Sequence, residues 1–182
     1  MDNIDAYSDA DHAGDKVTRR STSASVIMFA GGAVLWKNKL QRCIALSSME
    51  AEYIVASETA KSIVWMDRLL KDVSVISDEK MPTLYIDNQS AIKLIGNPEF
   101  HERCKHIEMR YHFVRQLLSE KKIDVQYIPT EDQVEDIFTK GLPSERLAMM
   151  KKLLGIQTSS DEPSRGVPSQ AVTTRCVPVN EH

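Results

Sequence analysis

The order of strand-like and helical segments is the feature of this sequence that most constrains its fold. Three segments rich in strand-forming residues come first, and we place them at residues 4–11, 21–29 and, as an interrupted third strand, 33–37 with 43–46. Further along the chain, strand segments alternate with helical ones. Antiparallel hairpins followed by such alternation are typical of a mixed sheet covered by helices. We therefore predict an α/β fold with one mixed sheet, in which three antiparallel strands are followed by two parallel ones.

The elements after the hairpins are predicted from apolar periodicity and from turn residues. In chain order they are a helix at 47–73, a strand at 83–86, a helix at 91–95, a helix at 106–120, a strand at 123–128, a short helix that holds Asp136, and a helix at 144–154. From residue 157 the chain is rich in Ser, Thr, Pro and Glu and shows no apolar periodicity. We expect one domain over residues 1–156 and a disordered tail over 157–182.

Two glutamates at the start of the first helix have different predicted roles. Ser47 and Glu50 form a capping box, in which the serine side chain binds the third helical N–H and the Glu50 carboxylate reaches back to the Ser47 N–H. Glu52 has no such task and borders the apolar face of the helix. We expect Glu52 to point towards the sheet, with a solvated position on the helix as the alternative. A second capping box is predicted at residues 130–133.

An aspartate inside the first strand is out of place on strand propensity alone. Side chains alternate along a strand, so Asp5 and Asp9 share one face of it. Asp9 is either a solvent-facing acid near the strand end or the first ligand of a divalent metal ion. Asp11 is a plausible rival, but it abuts the following turn, which leaves its direction less well determined.

Four acids that are far apart in the sequence occupy positions from which they could meet. They are Asp9, Glu52, Asp87 at the end of the fourth strand and Asp136 after the fifth strand. If the first and fourth strands are neighbours, Asp9 and Asp87 lie side by side, and a divalent cation would offset their repulsion. Two such ions about 3.5–4 Å apart can activate a water and stabilise the leaving oxygen of a phosphodiester. Alternatively, Asp87 caps the next helix, and Asp136 favours the positive end of its own helix.

Composition limits the partners and the compartment. The 182-residue chain has a formal net charge of −3, so a contact with nucleic acid needs a local basic patch. Its three cysteines, at irregular spacing, fit a reducing compartment better than a disulfide framework. No apolar run is long enough to cross a bilayer, and the N-terminus has no signal-peptide pattern. We expect a soluble intracellular protein with no membrane partner, in the cytoplasm or the nucleus.

Several sequence blocks resemble the ribonuclease H domain of the Pol polyproteins of copia-type LTR retrotransposons. They follow one another in the family's order from about Asp5 to Ile156. The blocks are YSDADHAGD, RRSTSASVIMFAGG, WKNK, ALSSMEAEY, YIDNQSAI, KHIEMRYHFVRQ and PTEDQVEDIFTKGLP. The resemblance implies a ribonuclease H-like fold with a five-stranded mixed sheet flanked by helices. It also implies cleavage of the RNA strand of an RNA–DNA hybrid with two Mg²⁺ ions, for which Mn²⁺ is a possible substitute.

The resemblance assigns the catalytic and metal-binding residues to the same acids. These are Asp9, Glu52, Asp87 and Asp136. The implied partners are an RNA–DNA hybrid and the reverse transcriptase domain of the same polyprotein, which is absent from this chain. The sequence departs from cellular relatives, which carry a mobile histidine before the last catalytic aspartate, because residues 128–135 contain no histidine.

A group of cations and hydroxyls around the second hairpin is the candidate nucleic-acid contact. The predicted contact residues are Arg20, Ser21, Ser23, Lys37, Lys39 and Arg42, together with Asn88 beside the third acid. A zinc site is disfavoured, because its candidates have no Cys-x-x-Cys partner. Those candidates are His101, Cys104, His106 and His112.

Three functions are open at the level of sequence. The first is a magnesium-dependent endoribonuclease acting on RNA–DNA hybrids. The second is a catalytically silent retroelement fragment that binds nucleic acid without turnover. The third is a phosphodiesterase acting on DNA, such as a resolvase or integrase of similar architecture.

Overall fold

The fold is built on one mixed β-sheet, seen in a computed structural model that describes residues 3–76, 80–96, 108–134, 136–139 and 142–156. The strands are β1 (Asp5–Asp11), β2 (Thr22–Phe29), β3 (Gly32–Leu40), β4 (Thr83–Ile86) and β5 (Asp124–Tyr127). They lie in the order β3-β2-β1-β4-β5. The β1–β2 and β2–β3 pairs are antiparallel, and the β1–β4 and β4–β5 pairs are parallel. The predicted sheet of three antiparallel strands followed by two parallel ones is confirmed.

Five helices and one 3₁₀ turn accompany the sheet in the described residues. They are α1 (Ser48–Asp72), α2 (Gln89–Gly96), α3 (Glu108–Ser119), the 3₁₀ turn Thr130–Asp132, α4 (Asp136–Thr139) and α5 (Ser144–Leu153). The serine half of the capping box predicted at the start of α1 is confirmed, since the Ser47 hydroxyl oxygen accepts a hydrogen bond from the Glu50 N–H at 3.1 Å. The return bond from the Ser47 N–H to the Glu50 carboxylate stays a prediction. The Glu50 carboxylate accepts a hydrogen bond from the Leu46 N–H at 2.8 Å, which ties the preceding loop to the helix start.

The third strand differs from the prediction. It runs without interruption over Gly32–Leu40, and residues 43–46 form no strand. The pairing explains the difference, because β3 is paired with β2 as far as the register Thr22↔Leu40, where β2 itself begins. Residues beyond this point have no strand to pair with. The buried Gln41 side chain instead binds the Ala51 carbonyl oxygen at 3.0 Å, which directs the chain towards α1.

One face of the sheet packs against α1. The apolar periodicity predicted for this helix is confirmed by a buried core that joins strand and helix residues. Its members include Ile4, Ala6, Ile27, Leu84 and Ile86 from the strands and Tyr53, Ala56, Ala60 and Ile63 from α1.

The other face of the sheet is covered by the C-terminal part of the domain. Met150 and Leu154 pack on Val26, and the Ala33 N–H donates to the Leu154 carbonyl oxygen at 3.1 Å. Gly155 then takes a positive φ of 72°, and a Cβ added there would lie 2.9 Å from the Gly31 carbonyl oxygen. The last helix is thereby seated on the β2–β3 hairpin at a point where only glycine fits.

Some sequence predictions fall on residues that the structure does not describe. These include the tail at 157–182, the first two residues of the helix predicted at 106–120, the zinc candidates His101, Cys104 and His106, and the side chains of His112 and Asp136. Among the described helices, none combines the length and the apolar character needed to span a bilayer.

Candidate metal centre

The parallel pairing of β1 and β4 brings the first two acids to the same edge of the sheet. Ser8 is paired with Ile86, and each of these residues directly precedes an acid, Asp9 or Asp87. The carboxyl ends of neighbouring parallel strands are where α/β sheets place their functional crevice. Asp9 is only 6% exposed, so the solvent-facing alternative for this residue is wrong.

Glu52 reaches this edge from the first turns of α1. Its side chain is 4% exposed, and its Oε1 atom accepts a hydrogen bond from the Ala10 N–H at 3.0 Å. The donor belongs to the residue after Asp9, so the helix and the central strand are joined at the acid itself. The expectation that Glu52 points towards the sheet is confirmed, and the solvated alternative is wrong.

The three carboxylates meet at one point. One oxygen each from Asp9, Glu52 and Asp87 lies within 4.8 Å of the other two. The rival Asp11 has another task, since its carboxylate accepts a hydrogen bond from the Thr22 N–H across the β1–β2 pair. Hard oxygen donors converging in this way are the ligand set that Mg²⁺ and Mn²⁺ prefer.

Burial and repulsion change the protonation of the cluster. Burial, followed by the negative charge of Asp9, raises the pKa of Glu52 to about 10, and the hydrogen bond from the Ala10 N–H opposes part of this rise. The raised pKa favours the protonated form of Glu52 at neutral pH when no cation is bound. A divalent cation would replace that proton and offset the repulsion, so these residues fit a metal ion well.

Asp87 has a support that the sequence did not reveal. The Thr130 hydroxyl donates a hydrogen bond to Asp87 Oδ2 at 2.9 Å. Helix α2 is capped by the next residue, because Asn88 Oδ1 accepts from the Ala91 N–H at 3.0 Å. The alternative in which Asp87 caps that helix is therefore wrong.

The second predicted capping box, at residues 130–133, is also wrong. The 3₁₀ turn there has Pro129 at its N-cap position with no side-chain cap. Thr130 binds Asp87, and the buried Gln133 side chain donates to the Ser8 carbonyl oxygen at 3.4 Å. The sequence signal for Thr130 was its place two residues after the strand predicted at 123–128, together with Pro129, which favours extended backbone.

Asp136, the fourth predicted acid, is the first residue of α4. Its side chain lies outside the part of the chain that the structure describes. Its place in the metal centre therefore stays a prediction.

The predicted nucleic-acid residues fall into two groups. Lys39 and Arg42 are exposed and Arg20 is half-buried, so their charges are available at the β3 side of the sheet. The other four hold internal hydrogen bonds. These are Ser21 with the Ala13 N–H, Ser23 with Gln41 Nε2, Lys37 with Ser62 Oγ, and Asn88 as the cap of α2. For all seven residues, contact with nucleic acid stays a prediction.

Comparison with known proteins identifies relatives of this chain by sequence. No family model matches the sequence. The retrovirus-related Pol polyprotein from transposon TNT 1-94 of Nicotiana tabacum is 39% identical over 156 residues, which are 86% of this chain and 12% of that protein. The Pol polyprotein from transposon RE1 of Arabidopsis thaliana is 35% identical over 153 residues, which are 84% of this chain and 10% of that protein. The chain thus spans only a small part of the length of these relatives.

A solved structure supports the fold. The N-terminal RNase H domain of a Mycobacterium tuberculosis protein matches with a TM-score of 0.52 at 10% identity, over 82% of this chain and 98% of that one. At such low identity the match speaks for architecture alone. By sequence and by architecture together, the chain is a homologue of one segment of the retrovirus-related Pol polyproteins of copia-type transposons, and it has the ribonuclease H fold.

Proposed function

We propose that this chain is a divalent-metal-dependent endoribonuclease that cleaves the RNA strand of RNA–DNA hybrids, as the ribonuclease H part of a retrotransposon Pol polyprotein. The observation that carries the proposal is the convergence of Asp9, Glu52 and Asp87 within 4.8 Å at one edge of the sheet. The fold and the Pol homologues support a nuclease in general. The hybrid substrate, the choice of magnesium and the use of two ions belong to the proposal.

The residues of the cluster would hold and orient the cation. Asp9, Glu52 and Asp87 supply carboxylate oxygens, with Asp136 as the proposed fourth ligand, and Mn²⁺ is a possible substitute for Mg²⁺. Bound magnesium supplies positive charge that stabilises the phosphodiester transition state and lowers the pKa of an attacking water. Glu52 would give up its proton on cation binding, and the Ala10 N–H would hold the resulting carboxylate in place.

The choice of an RNA–DNA hybrid rests on the ribonuclease H resemblance and on exposed positive charges at the β3 side of the sheet. Lys39 and Arg42 are exposed on the β3 side, where they could contact the phosphates of the uncut strand. An RNA strand is recognisable by its 2′-hydroxyl groups in a wide minor groove. We further propose the reverse transcriptase domain of the same polyprotein as the physical partner of this domain.

A cleavage assay tests the proposal. The full chain is incubated with an end-labelled RNA–DNA hybrid in Mg²⁺, in Mn²⁺ and in EDTA, and Asp9→Asn serves as the inactive control. We expect cleavage of the RNA strand in both metals and none in EDTA. Binding of the hybrid without cleavage would favour a silent retroelement fragment, and cleavage of duplex or junction DNA in preference to the hybrid would favour a DNA phosphodiesterase. Either outcome would overturn the proposal.

A further inference from the structure

The turn that follows β5 contacts both strands that carry acids. Thr130 Oγ1 donates to Asp87 Oδ2 at 2.9 Å, next to the end of β4. Three residues later, the buried Gln133 side chain donates to the carbonyl oxygen of Ser8, the residue before Asp9. The turn therefore bridges two neighbouring strand ends at the place where their carboxylates converge.

Helix α5 holds this turn from the other side. Arg146 Nη2 donates to the Thr130 carbonyl oxygen at 3.0 Å and to the Glu131 carbonyl oxygen at 3.4 Å. The same helix is anchored in the core through Met150, which is fully buried against Val26. A continuous set of contacts thus runs from the core through Arg146 and Thr130 to the Asp87 carboxylate.

A local structural role does not explain where the Thr130 hydroxyl goes. The turn has Pro129 at its N-cap position and no side-chain cap, so the Thr130 hydroxyl does not cap it. Thr130 is itself exposed, and its hydroxyl donates instead to the half-buried Asp87 carboxylate, 43 positions away in the sequence. A hydrogen bond to one oxygen of a carboxylate restricts its rotation, and partners of this kind typically change metal affinity by about 10–100-fold when removed.

We propose that Thr130, held by Arg146, is a positioning residue that orients Asp87 for the divalent cation. The proposal rests on the function proposed above and deepens it by naming the residue that orients Asp87, one of the proposed metal ligands. Thr130 does not touch the cation or the phosphate, and it acts through the Asp87 carboxylate. Loss of its hydroxyl therefore weakens cation binding first and cleavage as a consequence.

The test measures cation binding directly. Isothermal titration of the full chain with Mn²⁺ compares wild type with Thr130→Val, which removes the hydroxyl at nearly constant volume, and with Thr130→Ser, which retains it. We expect Thr130→Val to weaken binding about tenfold and Thr130→Ser to stay close to wild type. Arg146→Met should shift binding in the same direction by a smaller factor, because the turn keeps its other contacts.

Two controls separate positioning from general stability. Thr18→Val makes the same change on the exposed loop between β1 and β2, and its cation affinity should equal that of wild type. Thermal unfolding in EDTA should differ little between Thr130→Val and wild type, because the bond concerns an exposed turn. Cleavage by Thr130→Val should approach the wild-type rate at saturating Mg²⁺.

The possible outcomes are distinguishable. Wild-type affinity in Thr130→Val would overturn the positioning role and leave the proposed nuclease standing. Cation binding without hybrid cleavage by the wild-type chain would overturn the nuclease, while the effect of Thr130 on affinity would still be measurable. If the wild-type chain binds no divalent cation, both proposals fail.

Discussion

The two sides of the acidic cluster are supported in different ways. On the α1 side, Glu52 is almost fully buried and is held by a backbone N–H of the central strand β1. On the side of the β5 turn, Asp87 is half-buried and is held by the side chain of an exposed threonine. A backbone donor in a central strand is kept by every substitution except proline, whereas a hydroxyl is lost in most substitutions. One side of the site is therefore fixed by the core, and the other depends on single residues.

The largest expected effect comes from the acid between the two sides. Asp9→Asn removes a charge that both the cation and the geometry of the cluster need, and we expect cleavage of the hybrid to fall by about 10³-fold or more. Asp11→Asn is the matched control, because its remaining oxygen can still accept from the Thr22 N–H. Rates are measured on labelled hybrid at saturating Mg²⁺. Full activity in Asp9→Asn would show that cleavage does not need the acidic cluster, and the comparison of its two sides would then say nothing about catalysis.

The two glutamates of α1 should respond in opposite ways. Glu52→Gln should reduce cation affinity and cleavage strongly, with little loss of stability in EDTA, because the native side chain is already neutral there. Glu50→Gln should keep the activity per folded molecule but lower the free energy of unfolding by about 0.3–1 kcal/mol, since a negative charge at a helix start is lost. Titration with Mn²⁺ and urea unfolding separate the two effects, and equal behaviour of the variants would contradict this assignment.

The pH dependence of stability and of cation affinity tests the buried side of the cluster, where Glu52 lies. The raised pKa of Glu52 means that the folded, metal-free protein binds this proton more tightly than the unfolded chain does. Its stabilising contribution is therefore present below the ordinary glutamate pKa and is lost as pH rises towards about 10. Thermal unfolding in EDTA between pH 6 and pH 9 should show this decline, and Glu52→Gln should flatten it. Cation affinity should change in the opposite direction and rise with pH, because binding releases the proton.

The smallest expected effect lies next to Asp87. Asn88→Ala removes the cap of α2 and should cost about 1 kcal/mol of stability, which corresponds to a fall of about 2–4 °C in Tm. Asn88→Ser should restore the cap and most of the stability. If Asn88 also contacts the hybrid, Asn88→Ser will still raise KM while its Tm stays near that of wild type. An unchanged Tm in Asn88→Ala would show that the cap adds little to this side of the site.

Periodic and local signals predicted most of the fold. The sequence of α1 alone supplied two predictions, namely which face of the helix is buried and that Glu52, not Glu50, points towards the sheet. Both agree with the structure. Residues 43–46 look like a strand in composition, but a strand also needs a partner, and β2 offers none beyond Thr22. The strand-end position of Asp87 was visible in the sequence, whereas its contact with Thr130 was not.

Thr130 shows why that contact was missed. Its neighbours match a capping box, which is a local pattern, but its hydrogen bond goes to a residue on another strand. Such a contact depends on strand order and on the path of α5, neither of which can be read from spacing. The positions of the metal-ligand candidates were therefore easier to predict than the residues that orient them.

The seating of Gly155 on the β2–β3 hairpin has a consequence for synthesis of the protein. The hairpin leaves the ribosome early, whereas the residues that cover it on this face are among the last of the domain to be made. Until then Val26 and its apolar neighbours have no cover on that side. A product terminated before Met150 would lack Met150 and Leu154 and would leave part of this apolar sheet face uncovered, and we expect it to aggregate or to be degraded.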